Sequence, residues 1–419
     1  MTGMLNKDKI KMTLSDGKTR AVDAWKKHNA VITFLVCMIL SACVYAVYLI
    51  VNDGASTANL FVGAQTNGDD IFMDFYNSVR DASNPAETYV GRKVIYPPMA
   101  NLIFLIFSRM IRSEFTSTEF YNRKLWNIYP DAMFMHFVFL TIAVLLLYTV
   151  FTHKCGDLKT KHVLGAFAVL NVPIIFTVER SNVIIYALIG LALYAFFYDS
   201  ESKRLRELSL LGLAFAFSIK IYPVVFGWLL IVDKRYKDAV RCAVYGVLMV
   251  LLPSLFFGGP GCLLQMFENM NVFSGMRQPP WLSVLVGESV ALSISYTFIV
   301  IGGICFAVLP FFTKNQFKLF ALGTAVIYLV PSLSIFYTWS FSLVPVYLAV
   351  SKKKFSENEW LYFIPSILPM IFITGFQSTD HRALASIGSY ALILIAVIEL
   401  IYLAVKLSIK KFKKAGVES

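Results

Sequence analysis

Residues 96–111 read YPPMANLIFLIFSRMI, and the topology of the whole chain turns on whether this stretch crosses a membrane. The pair Pro97–Pro98 opens it, and only about 14 apolar-rich residues follow, fewer than the ~20 that a helix needs to traverse a bilayer. Proline suits the first turn of a helix, so the stretch is expected to lie at the membrane interface or to dip into it. If it crossed instead, every loop after it would change sides.

The rest of the chain tests that choice. Of 419 residues, 57% are hydrophobic, 15% aromatic and only 15% charged. Soluble domains carry about 25% charged residues, so the composition is that of a polytopic membrane protein. Apolar runs fall at 29–51, 131–152, 163–178, 182–198, 207–219, 221–232, 238–257, 289–312, 317–333, 335–350, 359–376 and 381–406. That predicts an all-α fold of about twelve membrane segments. The first run is too long for the apolar region of a signal peptide and no A-x-A cleavage site follows, so it reads as a retained helix.

Basic residues then orient the chain, because cytoplasmic loops are enriched in Lys and Arg. With 96–111 kept out of the count, the arm 1–28 (Lys7, Lys9, Lys11, Lys18, Arg20, Lys26, Lys27) is cytoplasmic. So are Lys154, Lys159 and Lys161; Lys203, Arg204 and Arg206; Lys234, Arg235 and Lys237; Lys314 and Lys318; Lys352–Lys354; and the basic tail 408–419. The net charge of +12 is therefore a topology signal, and a nucleic-acid partner is not expected. The six cysteines sit mostly in or beside apolar runs without a C-x-x-C pair, as small core residues do. A single transmembrane catalytic domain, 29–407, then holds a long first extracytoplasmic loop, 52–130.

Residues 207–237, ELSLLGLAFAFSIKIYPVVFGWLLIVDKRYK, are bounded by basic residues at both ends. One crossing would put one basic end outside. Two short helices hinged at Lys220–Pro223 satisfy both ends, since Pro223 cannot continue a helical ladder. Broken backbone at membrane depth is tolerated where it lines a cavity, and Lys220 at the break is expected to have an anionic partner.

Candidate chemistry gathers on the opposite, outer side. The stretch GDDIFMDFYNSV (68–79) holds Asp69, Asp70 and Asp74 among apolar residues. Solvated loop carboxylates are the plain reading. Asp74, flanked by Met73, Phe75 and Tyr76, is the sharper candidate, because an apolar frame favours a carboxylate that takes up protons. If the stretch is helical, Asp70 and Asp74 share a face at i, i+4. In TVERSNVIIYAL (177–188), Glu179 and Arg180 read as an interfacial ion pair with Asn182 as a helix cap, or as a phosphate site built on the Arg180 guanidinium. Arg277, Gln278 and Trp281 in the 273–287 loop are weaker candidates, since interfacial Trp is usually an anchor. Asp380, His381 and Arg382 between the last two helices suit a phosphate or sugar, or Asp380 caps a helix there.

Walker A, G-x-S-x-G, H-E-x-x-H and Rossmann patterns are missing, as is the inverted repeat of charged broken helices found in many transporters. Four features do occur in order: MDFYNSV (73–79), YPPMANLIF (96–104), ERSNVIIYALIGLAL (179–193) and LLGLAFAFSIKIYP (210–223). Together they resemble glycosyltransferase family 87, membrane enzymes of the GT-C class, over roughly residues 60–240. The stretches QPPWLSVL (278–285) and SIFYTWSFSLVP (334–345) resemble it more weakly.

The resemblance implies an inverting enzyme that takes a sugar from a polyprenyl-phosphate donor, with Asp74 matching the catalytic Asp. Many relatives have His two residues after the Trp of the late segment. Here Trp339-Ser340-Phe341 stands instead, so that His has no counterpart. The expectation is a plasma-membrane hexosyltransferase, mannose favoured, with Asp74 as base and a glycolipid or cell-envelope glycan as acceptor. Substrate-binding candidates are Asp69, Asp70, Tyr96, Glu179, Arg180, Asn182, Lys220, Arg277, His381 and Arg382. No cofactor is expected, although Asp69 with Asp70 leaves room for a divalent metal. A transporter or flippase for a lipid-linked sugar is the rival class, and a ligase using a polyprenyl-diphosphate donor is the third.

Overall fold

The computed structural model describes residues 29–48, 50–51, 72–117, 129–156, 158–274, 282–330, 336–352, 355–372 and 378–415. Among these residues the regular structure is entirely helical, and every apolar run read from the sequence contains helix. Five helices are long and apolar enough to cross a bilayer: Asn29–Tyr48, Pro130–Cys155, Tyr236–Phe257, Glu288–Phe311 and Ala383–Ile409. Shorter apolar helices fill the space between them, including Ile184–Phe197, Gln316–Leu329 and Tyr337–Val350.

Residues 163–178 differ from a single straight segment. They form two helices, Lys161–Val169 and Val172–Arg180, bent by 48°. Asn171 makes the break: its side-chain oxygen accepts the Ile174 N–H at 3.3 Å, and Pro173 sits in the first turn that follows. A side-chain cap and an early proline start a new helix even within continuous hydropathy.

The stretch that decided the topology forms the helix Pro98–Ser108, 11 residues long. At 1.5 Å per residue it rises roughly 16 Å, about half the hydrocarbon thickness of a bilayer. It packs beside Met73–Ser83 on the long helix Pro130–Cys155, where Phe75, Phe104, Phe107 and Phe139 meet ring to ring.

The hinge at Lys220–Pro223 is present. Lys203–Ile219 ends where Lys220 turns extended (φ −141°, ψ 128°), and the chain returns through a 3₁₀ turn, Tyr222–Gly227, and the short helix Trp228–Val232. Tyr194 fixes the returning limb by donating its hydroxyl to the Phe226 carbonyl at 3.0 Å. Glycine fixes the other side of the hairpin. A Cβ on Gly190 would stand 2.5 Å from the Gly212 carbonyl oxygen, and one on Gly212 would stand 2.7 Å from that of Gly190. The helices Ile184–Phe197 and Lys203–Ile219 therefore touch backbone to backbone, as small residues allow between membrane helices. The end of one helix, Lys220, is thereby placed beside the start of the other, Asn182.

The opposite end of this pair gathers the basic loops. Tyr198 donates its hydroxyl to Asp233 at 2.5 Å, and Arg235 donates to the Tyr198 carbonyl at 2.8 Å and pairs with Asp238 at 2.7 Å. Lys314 pairs with Asp233, Gln316 bonds Asp199, and Lys352 pairs with Glu359 while donating to Asn315 at 2.9 Å. Lys318 is buried against Glu399 at 2.7 Å. Loops 198–206, 233–241, 313–318 and 352–359 are thus tied together at one end of the molecule.

Candidate active site

Asp74 lies in the first turn of Met73–Ser83, and its apolar neighbours do not frame it. Met73 is buried and Phe75 and Tyr76 pack into the aromatic core, which turns the carboxylate away from that core. There one Asp74 oxygen accepts from Arg180 Nη2 at 2.5 Å, and the other accepts from Asn182 Nδ2 at 2.7 Å. The apolar cage expected around Asp74 is therefore replaced by a guanidinium and an amide.

Asn182 holds the arrangement. Its side-chain oxygen accepts the Ile184 N–H at 3.0 Å, so its amide nitrogen faces Asp74 and also donates to the Tyr96 hydroxyl at 3.0 Å. Asn182 thus acts as a cap at the start of Ile184–Phe197 while its amide nitrogen binds Asp74. Burial, with Asp74 beside it, pushes the Tyr96 phenol above its ordinary value, so it keeps its proton. Because Tyr96 accepts from Asn182, that proton is left to be donated elsewhere.

Lys220 completes the cluster by an unexpected contact. Among the described residues it makes no ion pair. Its ammonium stands 4.1 Å from the centre of the Tyr96 ring and 5.5 Å from that of Tyr337. Aromatic faces stabilise a cation while leaving its N–H groups free for a ligand. Nearby, the Tyr222 hydroxyl is buried without a hydrogen-bond partner among the described residues, and its ring meets Phe341 edge-on at 5.6 Å. Asp74 and Arg180 are only 15% and 18% exposed, so a ligand can reach them but few waters compete.

An apolar groove of about 230 Å³ opens close by, between Pro98–Ser108 and Tyr236–Ser254. Met99, Leu102, Leu248 and Leu252 line it, beginning three residues after Tyr96.

Five expected residues thus meet: Asp74, Tyr96, Arg180, Asn182 and Lys220. Glu179 contributes differently, since its backbone carbonyl takes the Phe72 N–H at 2.6 Å and Arg180 turns to Asp74 instead of to Glu179. Asp69, Asp70, Arg277, Gln278 and Trp281 lie outside the described residues. Met73–Ser83 opens after Phe72, which has φ 63°, and the i, i+4 pairing of Asp70 with Asp74 likewise falls outside the described residues. His381 and Arg382 lie on the helix Ser378–Ala415, but their side chains are outside the described set; that helix starts two residues before Asp380, which is therefore not its cap. Among the described residues no three His, Cys, Asp or Glu side chains gather as metal ligands. His136, Tyr222 and Tyr337 were not singled out from the sequence. A lone His entering an apolar run was the available signal for the first.

The described residues thus gather a carboxylate, a guanidinium and an ammonium at one end of the helices of a membrane-embedded protein. A sequence model of glycosyltransferase family 87 matches residues 95–336, more than half of the chain, and the chain belongs to that family. The match includes Tyr96, Arg180, Asn182 and Lys220 but begins after Asp74, so Asp74 is placed in the site by its geometry alone. Comparison with curated proteins and with solved structures finds no match.

Proposed function

We propose that this glycosyltransferase moves one sugar, a hexose with mannose favoured, from a polyprenyl-phosphate donor to a glycolipid or envelope glycan on the outer side of the plasma membrane. The observation that carries the reading is the Asp74 carboxylate held by Arg180 and Asn182 beside Lys220, at the end of the helices opposite the basic loops. By the charge rule those loops face the cytosol, which puts the site outside. Nucleotide sugars are made in the cytosol, so an outer site needs a donor already carried across on lipid.

The chemistry follows from the charges. The polyprenyl phosphate leaves as an anion and calls for cations more than for a general acid. In the resting site Arg180 occupies one Asp74 oxygen. A donor phosphate competes for the same guanidinium and, with Lys220, takes it over. The freed Asp74 oxygen then accepts the proton of the acceptor hydroxyl as the hydroxyl oxygen bonds to the anomeric carbon. The bond from that carbon to the phosphate oxygen breaks, its electrons stay with the polyprenyl phosphate, and attack from the opposite face inverts the centre. The groove at Met99 and Leu102 suits the start of the lipid tail.

Purified protein in liposomes, given a synthetic polyprenyl-phosphate hexose and a glycolipid acceptor, is expected to form a new glycosidic bond on the side where both are supplied. Movement of the donor across the bilayer with no bond formed would replace this reading with a flippase. Lys220→Met keeps the stem and removes the charge. It is expected to raise the donor KM and lower kcat, with kcat/KM falling about tenfold to a hundredfold, the value of a charge-assisted hydrogen bond. An unchanged KM and kcat would remove Lys220 from the phosphate site.

A further inference from the structure

The segments that carry the site both depend on residues with left-handed backbone, neither of them glycine. Phe72 (φ 63°, ψ 5°) precedes the helix of Asp74, and Ser181 (φ 53°, ψ 43°) follows that of Arg180. A residue of this kind is uncommon, and for a bulky side chain it is an outlier. At Ser181 the conformation has a clear consequence. On a continuous helix, Arg180 and Asn182 would point roughly 200° apart. The left-handed residue between them reverses the chain, and both side chains reach Asp74.

One buried side chain touches both special residues. The His136 ring centre lies 4.5 Å from that of Phe72, and its Nε2 lies 2.6 Å from the Ser181 hydroxyl. His136 is 1% exposed and also meets the rings of Phe75 and Tyr76, each at 5.3 Å. The proton can be assigned from the network. Ser181 Oγ lies 3.0 Å from the Val178 carbonyl, which can only accept, so the serine proton goes there. Nε2 of His136 is then the donor to Ser181, which fixes the tautomer. Phe72 N–H and the Glu179 carbonyl join the same two segments from the backbone side.

We infer that His136 is a positioning residue for catalysis: through Ser181 and Phe72 it sets the approach of Arg180 and Asn182 to Asp74. The catalytic readout rests on the transfer reaction proposed above. A displacement of about 1 Å in such a set costs up to about a hundredfold in rate.

The test compares three variants. His136→Phe keeps the ring and loses the donor, Ser181→Ala loses the acceptor, and His136→Gln returns an N–H near the Nε2 position. His136→Phe and Ser181→Ala are each expected to lower kcat about tenfold or more, with donor KM within about twofold and a normal melting temperature. The double variant should be no worse than the poorer single one, since the two residues act as a unit. His136→Gln should recover most of the rate. Unchanged kcat in Ser181→Ala, multiplicative losses in the double variant, or a Gln variant as poor as the Phe variant would overturn the assignment. Should His136→Phe fail to fold, Ser181→Ala decides alone.

A second measurement is independent of substrate. A thermal double-mutant cycle on Asp74→Asn and Arg180→Gln should show a coupling in the wild type that falls in Ser181→Ala. Loss of that coupling in a protein inactive toward the polyprenyl-phosphate donor would support His136 while refuting the donor. A coupling that persists would refute His136.

Discussion

Asp74→Asn is expected to remove nearly all transfer, a loss of about 10²–10⁴ in kcat, while the yield of folded protein stays normal. The substitution preserves shape and changes two things. An amide cannot accept the acceptor's proton, and its nitrogen presents hydrogen to the Arg180 guanidinium where a carboxylate oxygen now accepts at 2.5 Å. The expected loss corresponds to about 3–5 kcal/mol of transition-state stabilisation. Single-turnover transfer from a synthetic donor, read beside size-exclusion profiles, separates chemistry from folding. Retention of a tenth of the activity or more would exclude Asp74 as base.

The second large effect lies away from the chemistry. Gly212→Val places carbon 2.7 Å from the Gly190 carbonyl oxygen, 2.9 Å from Leu193 Cβ and 3.3 Å from the Tyr194 nitrogen. Two of those three atoms are backbone, so no side-chain rotation relieves the clash, and the hairpin helices must separate. Lys220, at the end of one of them, would leave the rings of Tyr96 and Tyr337. Most of the folded protein should be lost after detergent extraction, with a lowered melting temperature and no transfer in what survives. Gly227→Ala is the control, because its nearest new neighbour, Leu213 Cδ2, lies at an ordinary 3.8 Å. Wild-type yield and activity in Gly212→Val would contradict the close contact.

Much of the site was legible because polar residues at the ends of apolar runs are costly and therefore conspicuous. Asp74, Arg180, Asn182, Lys220 and Tyr96 all stand out in this way. Their partners were less legible. Arg180 reads naturally with its neighbour Glu179, and only the left-handed turn at Ser181, for which serine has no special preference, sends it to Asp74. The apolar flanks of Asp74 suggested a hydrophobic cage because sequence shows adjacency and not helix rotation; those flanks are buried on the far side. Lys220 touches aromatic faces, while the anion that charge balance suggested, Asp74, acts on it without a direct ion pair among the described residues. The bend at Asn171–Pro173 carried its own signal, a cap followed by proline, which continuous hydropathy masked. Four of the loops assigned to one side by charge are also bonded together at one end, because their basic residues stand beside carboxylates and amides there.

That bonded end has a mechanical consequence. Asp233, Arg235, Lys314 and Lys352 stitch loops far apart in sequence into a common floor. Segments anchored in such a floor have little freedom to slide past one another where they leave it. Any widening between them must grow with distance from the anchor, as the blades of tongs open from a fixed pivot, and it is greatest at the end that holds Asp74 and Lys220.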